Sequence, residues 1–313
     1  QESRGLGDVY KRQTEDLPSL NYLIYPLIPE MQPTILFGEK GVSKSILALL
    51  SYVIVALPWR DNPLKLTSPD KPVRALFLDW ETERNIIARR FQRLCRGMNL
   101  PYMELNYLRC VSPLADDLEQ IQTKINEVQA QFVIVDSLAP ACGGEIDAKQ
   151  ALDFFKALRS LHASSLIVAQ TPKAEERNKS VFGSVLFTYL ARSVWEIKKA
   201  QVTDEDLIHV GLFHRYSNED RLHDPMGYSI QFENSAIKVE PLLLEQSDLA
   251  SSLSASIRIR DLLRKEGKKT VDEIAEILDL KKTTVAVTCY RLREKDILVR
   301  IDDKWGLKEQ TLF

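Results

Sequence analysis

The chain has 313 residues, 44% hydrophobic and 27% charged, a globular balance that excludes collagen-like, coiled-coil and disordered classes and leaves room for two domains. Lys plus Arg number 42 against 44 for Asp plus Glu, a net charge of -2, so no global basic field selects nucleic acid and any such partner must meet a local patch. Cys95, Cys110, Cys142 and Cys289 form no C-x-x-C pair and no cluster with histidine, which argues against a zinc site and a disulfide scaffold and for a reducing, cytoplasmic setting. The longest apolar stretch, Ile46 to Pro58, is too short to span a bilayer, so no membrane partner is expected.

Residues 1–13 are expected to be non-native or disordered, because Arg4 to Gln13 (RGLGDVYKRQ) resembles translated adapter sequence. From residue 14 to 240, short apolar runs alternate with amphipathic stretches, the pattern of an α/β domain whose mostly parallel sheet is covered by helices. Strands are expected at 34–37, 73–78, 105–109, 132–135, 165–169, 193–197 and 207–213, with a closing hairpin at 228–232 and 236–239. Helices are expected at 44–55, 83–96, 116–130 and 148–162. Residues 241–255, Pro-led and Ser-rich, read as a linker. Beyond it, 256–310 shows three helical stretches and a hairpin around Asp302-Asp303, the pattern of a winged helix-turn-helix, with Thr270 and Glu273 placed as a capping box.

Gly38-Glu39-Lys40-Gly41-Val42-Ser43-Lys44-Ser45 fits the phosphate-binding pattern G-x-x-x-x-G-K-[ST] at every fixed position except one, where Ser43 replaces the second glycine. An apolar strand precedes it and an apolar helix follows. Backbone N–H groups and a helix N-terminus in such a loop cradle phosphates, Lys44 reaches the β- and γ-phosphates of ATP, and the Ser45 hydroxyl joins a Mg2+ shell. Two further apolar runs end in acids: Val73 to Glu81, finishing Asp79-Trp80-Glu81, and Phe132 to Ser137, finishing Asp136-Ser137. Either acid of the first could orient water or cap the next helix.

Together FLDWE and VIVDS resemble the second and fourth core strands of RecA-type ATPases, and the run from about Leu20 to Val239 resembles the RepA-type hexameric replicative helicases. The resemblance implies that Glu81 is catalytic, that Lys44 and Ser45 are the phosphate lysine and magnesium hydroxyl, and that Asp136 is the Walker B acid. It places Gln170, in LIVAQTPK, where the family senses the γ-phosphate, usually with His. It makes Arg192 the arginine finger acting on a neighbouring subunit, with Arg215 as the competing choice. The resemblance also implies a homo-oligomeric, six-membered ring, with single-stranded DNA in its channel, where Lys173 and its polar loop would touch the backbone.

In the C-terminal stretch, 14 Lys/Arg face 11 Asp/Glu between residues 250 and 310, and the third helix opens with Lys281, Lys282, Thr283 and Thr284. Those positions suit contact with duplex DNA, although the same pattern also serves protein interaction. The expected function is thus a Mg2+-dependent ATPase coupled to movement along single-stranded DNA. The alternative is a DNA-bound regulatory ATPase that does not translocate.

Overall fold

The computed structural model describes residues 21–144, 147–171, 186–200, 206–218 and 221–308. A short hairpin, β1 (Tyr22–Ile24) with β2 (Ile28–Pro29), leads into β3 (Pro33–Gly38) and α1 (Lys44–Ala56). Then follow β4 (Ala75–Asp79), α2 (Arg84–Gly97), β5 (Tyr107–Arg109), α3 (Leu118–Val128), β6 (Phe132–Asp136), α4 (Leu138–Ala141), α5 (Ala148–Ser160) and β7 (Ser164–Gln170). α6 (Leu186–Leu190), β8 (Ser193–Lys199), β9 (Leu207–Ser217), β10 (Met226–Phe232) and β11 (Ile237–Leu242) complete this part.

Among the described residues β3 to β11 form one nine-stranded sheet, in the order β11-β10-β9-β8-β3-β7-β6-β4-β5, and β1 and β2 pair apart from it. It is parallel from β8 through β5, while the pairs β8–β9, β9–β10 and β10–β11 are antiparallel. Side chains alternate between faces with period two. Leu36, Phe77, Phe132 and Ile134 join one buried cluster, under α1 and α2. Ile35, Leu76, Leu78, Val133 and Val135 join the other, under α3 and α5. α1 is apolar all round and so sinks almost entirely, with 11 of its 13 residues buried. α2 and α5 are amphipathic instead: α2 inserts Ile87, Phe91 and Leu94, and α5 inserts Ala151, Phe154, Phe155 and Leu158 behind a capping box of Asp147 and Gln150.

The sequence locates every long strand and helix of this part to within a few residues and misses three short elements: the β1–β2 hairpin, α4 and α6. Residues 241–255 are more than a tether. β11 runs on to Leu242, and Leu244, Leu249 and Leu253 pack in two 3-10 turns against Ala200 and Phe213. Three helices follow, α7 (Ala255–Glu266), α8 (Val271–Leu278) and α9 (Lys282–Glu294), then the hairpin β12 (Leu298–Ile301) with β13 (Lys304–Leu307). They enclose a separate core of Ile259, Leu263, Ile274, Val285, Cys289, Leu292 and Trp305. The Thr270–Glu273 capping box has both of its hydrogen bonds. No helix among the described residues is long and apolar enough to cross a membrane.

Candidate functional site

Sheet register brings the site together. Gly38 is paired with Gln170 across β3–β7, and Asp79 with Asp136 across β4–β6. The carboxyl ends of four parallel strands therefore finish at one level, where open α/β sheets bind ligands. Gly38 admits no larger residue, since a Cβ there would stand 2.4 Å from the Ile197 carbonyl oxygen. The loop then turns through Gly41 at φ 80° and Ser43 at φ 64°. Ser43 is the N-cap of α1 in the left-handed region, its side chain making no capping bond while its carbonyl accepts from Ile46 and Leu47.

Lys44 is 8% exposed, and its Nζ donates to the carbonyls of Gly38 (2.8 Å) and Glu39 (2.7 Å). Burial lowers its pKa, against the opposing pull of Asp136, Glu81 and Glu39. The Ser45 hydroxyl donates to Asp136 Oδ2 at 2.7 Å. Asp136 is pushed up to about 6, chiefly by burial; the Ser45 bond pulls the other way, and the carboxylates of Glu81 and Asp79 add to the rise. A hydroxyl and a carboxylate oxygen this close, in a pocket that disfavours a lone negative charge, are a hard-oxygen donor pair that fits Mg2+. Glu81 Oε1 accepts from the Ser137 hydroxyl and from Gln170 Nε2, the latter at 3.2 Å.

Lys40, Gly41, Val42, Ser43, Lys44, Ser45, Glu81, Asp136 and Gln170 thus line one cleft of about 370 Å3. Glu39 sits at its rim through the carbonyl bound by Lys44. Seven further residues line the cleft without a role legible in the sequence, among them Ser137, Arg90 on α2, and Ile208 and Phe232 on β9 and β10. Arg90 could have been found from helical spacing, because it stands three residues after Ile87 and four before Leu94, beside the buried stripe. Nothing local announces Ile208 or Phe232, which arrive from antiparallel strands far along the chain.

The two acids of Asp79-Trp80-Glu81 separate completely. Asp79 is fully buried: its Oδ1 accepts from the N–H groups of Glu81 and Thr82, both at 2.9 Å, and its Oδ2 accepts from the Tyr107 hydroxyl at 3.0 Å. It builds the turn that carries Glu81 and is absent from the cleft lining.

Arg192 lies at the opposite end of the sheet, its N–H donating to Pro33 at the start of β3. That is about 17 Å from Gly38, at about 3.3 Å per residue, so within its own chain it does not reach the cleft. It stands beside Arg159, whose pKa is lowered by burial and by the Arg192 charge. Arg215 is held by Glu196 at 2.6 Å and lies over the Phe213 ring. Lys173 lies outside the described residues. In the C-terminal module Lys281 is the N-cap of α9, Thr283 and Thr284 are exposed, and Lys282 pairs with Asp272 at 2.9 Å. Asp303 in the hairpin turn pairs with Arg300.

A KaiC-like protein from the hyperthermophilic archaeon Pyrococcus horikoshii OT3 is similar in structure, with 15% identity over 70% of this chain and 94% of that one and a TM-score of 0.48. No curated protein sequence matches the chain. Residues 5–176, which hold the phosphate loop, both acid-ended strands and Gln170, match the family model described as AAA domain. That match spans more than half of the chain, which therefore belongs to the AAA domain family of P-loop ATPases.

Proposed function

We propose that this protein is a Mg2+-dependent ATPase with a RecA-like core, similar to the RepA-type replicative helicases of plasmids, phages and other mobile elements, and that it couples hydrolysis to movement along single-stranded DNA. One observation carries the proposal: Lys44, Ser45, Glu81, Asp136 and Gln170, from four different strand ends, line a single cleft.

In this reading the N–H groups of Gly41 to Ser45 and the amino end of α1 face the ATP phosphates. Lys44 exchanges its two carbonyl partners for the β- and γ-phosphates. Ser45 and Asp136 would hold Mg2+, which when bound neutralises phosphate charge. Glu81 orients the water for in-line attack, Gln170 contacts the γ-phosphate, and Arg90 adds a second cation to the cleft. Arg192 would act on the nucleotide of a neighbouring subunit in a six-membered ring, a role compatible with its distance from its own cleft, with Arg215 as the competing choice. Lys173 would meet single-stranded DNA in the channel. The C-terminal module would serve as a winged helix, with Lys281, Lys282, Thr283 and Thr284 facing duplex DNA.

The test is ATP turnover by the parent and by Glu81→Gln, without DNA, with single strands of unrelated sequence, and with duplex. Parent turnover should rise with any single strand. Glu81→Gln should keep nucleotide affinity and turn over about 10² to 10⁴ times more slowly, because an amide cannot take the proton from water. Parent-like turnover by Glu81→Gln would refute the hydrolytic site. Stimulation by one duplex sequence alone would instead identify the DNA-bound regulatory ATPase.

A further inference from the structure

Ser137 follows Asp136 at the end of β6 and is 2% exposed. Its hydroxyl donates to Oε1 of Glu81, across the β4–β6 pair, and Gln170 Nε2 donates to that same oxygen from β7. One carboxylate oxygen of an otherwise exposed glutamate is thus fixed by two donors, one just past the end of β6 and one at the end of β7. The neighbouring residue, Asp136, is bonded to Ser45 on the other side. Asp136, the last residue of β6, and Ser137, the residue just after it, therefore reach the metal-binding side of the cleft and its water-orienting side.

We propose that Ser137 is a positioning residue that holds Glu81 in its working rotamer, and that Oε2, the oxygen left clear of both donors, is the atom that takes the proton of the attacking water. The inference rests on the hydrolytic reading above and deepens it. Oε1 has its in-plane directions taken by the Ser137 hydroxyl and the Gln170 amide. A base with freely rotating carboxylate oxygens would lose alignment, and a misplacement of about 1 Å costs about 10²-fold in rate.

The test is a double-mutant cycle of Ser137→Ala with Glu81→Gln, reading kcat, KM, affinity for a fluorescent ADP analogue, and thermal stability. Ser137→Ala should lower kcat about 10- to 100-fold and leave KM and ADP affinity within twofold, since nothing on the phosphate loop is touched. Ser137→Thr, which keeps the hydroxyl, should recover most of kcat wherever its Tm matches the parent. In the Glu81→Gln background the serine substitution should cost less than threefold, because the group it positions no longer acts as a base. An equal loss in both backgrounds, or parent-like kcat for Ser137→Ala, overturns the proposal while leaving the ATPase assignment intact. Parent-like kcat for Glu81→Gln itself overturns both.

Discussion

Ser43 offers a test that separates backbone geometry from chemistry. It holds φ 64° and ψ 28° at the N-cap of α1, where its side chain makes no capping hydrogen bond. A left-handed backbone costs a residue with a Cβ about 1–2 kcal/mol. Ser43→Gly removes that cost, and the greater freedom of glycine in the unfolded chain offsets about 0.5–1 kcal/mol of the gain. The expected net stabilisation is about 0.5–1 kcal/mol, or roughly 2 °C in Tm for a core of this size. Hydrolysis should stay at or above the parent rate, because the loop's N–H groups keep their positions.

Ser43→Ala is the control. It keeps the Cβ and the strain while deleting the hydroxyl, so its stability should lie within about 0.5 kcal/mol of the parent. Urea unfolding of the three proteins, with ATP turnover beside it, reads both quantities. If Ser43→Gly were less stable than the parent, or Ser43→Ala lost activity, the strain account would fail and the hydroxyl would have a function of its own.

Three further outcomes follow from buried and surface groups. Asp79→Ala should destabilise by about 3 kcal/mol in urea, because it strips the partners from the Glu81 and Thr82 N–H groups and from the Tyr107 hydroxyl. Asp79→Asn should still hydrolyse ATP far faster than Glu81→Gln; the reverse order would make Asp79 the base. Burial raises the thiols of Cys110 and Cys142 to about 12 and that of Cys289 to about 11, from an ordinary 9.0. Less thiolate is then present at any given pH, so at pH 8 Cys110 and Cys142 should react with a disulfide reagent about 10³-fold more slowly than a free thiol. Their rates should keep climbing about tenfold per pH unit past pH 9, where a free thiol levels off, and fast labelling at pH 8 would contradict the packing. Replacing Lys281 and Lys282 together with Glu should weaken duplex DNA binding and lower its salt slope by about 2. Stability should hardly change, since the Lys282–Asp272 pair is exposed. Unchanged DNA binding would assign the module to protein contacts.

How far the sequence reaches is clearest at β4. Its apolar run and terminal acids mark a buried strand beside a phosphate loop, because a parallel strand covered on both faces must be continuously apolar and its carboxyl end must face the ligand. Which acid does chemistry depends on parity. Asp79 shares its parity with Ala75 and Phe77, two residues whose side chains enter the cluster under α1 and α2. It is therefore still inside the sheet, where a carboxylate persists only if its oxygens are saturated, as these are by two N–H groups and a hydroxyl. Glu81 lies beyond the last paired residue, free of the alternation, and is exposed to the cleft. The parity was readable in VRALFLDWE; the end of the pairing was not, because it is set by where β6 stops. Ser137 shows the same limit more sharply. Its identity is plain in VIVDS, but its role exists only once β6 and β4 are in register and Glu81 folds back across the gap. Arg90 needs one step less, since helical spacing alone places it beside the buried stripe of α2. Local pattern therefore reveals the residues whose surroundings lie within one element. The partners that aim Glu81 come from strand ends 56 and 89 residues away, and only the sheet brings them to it.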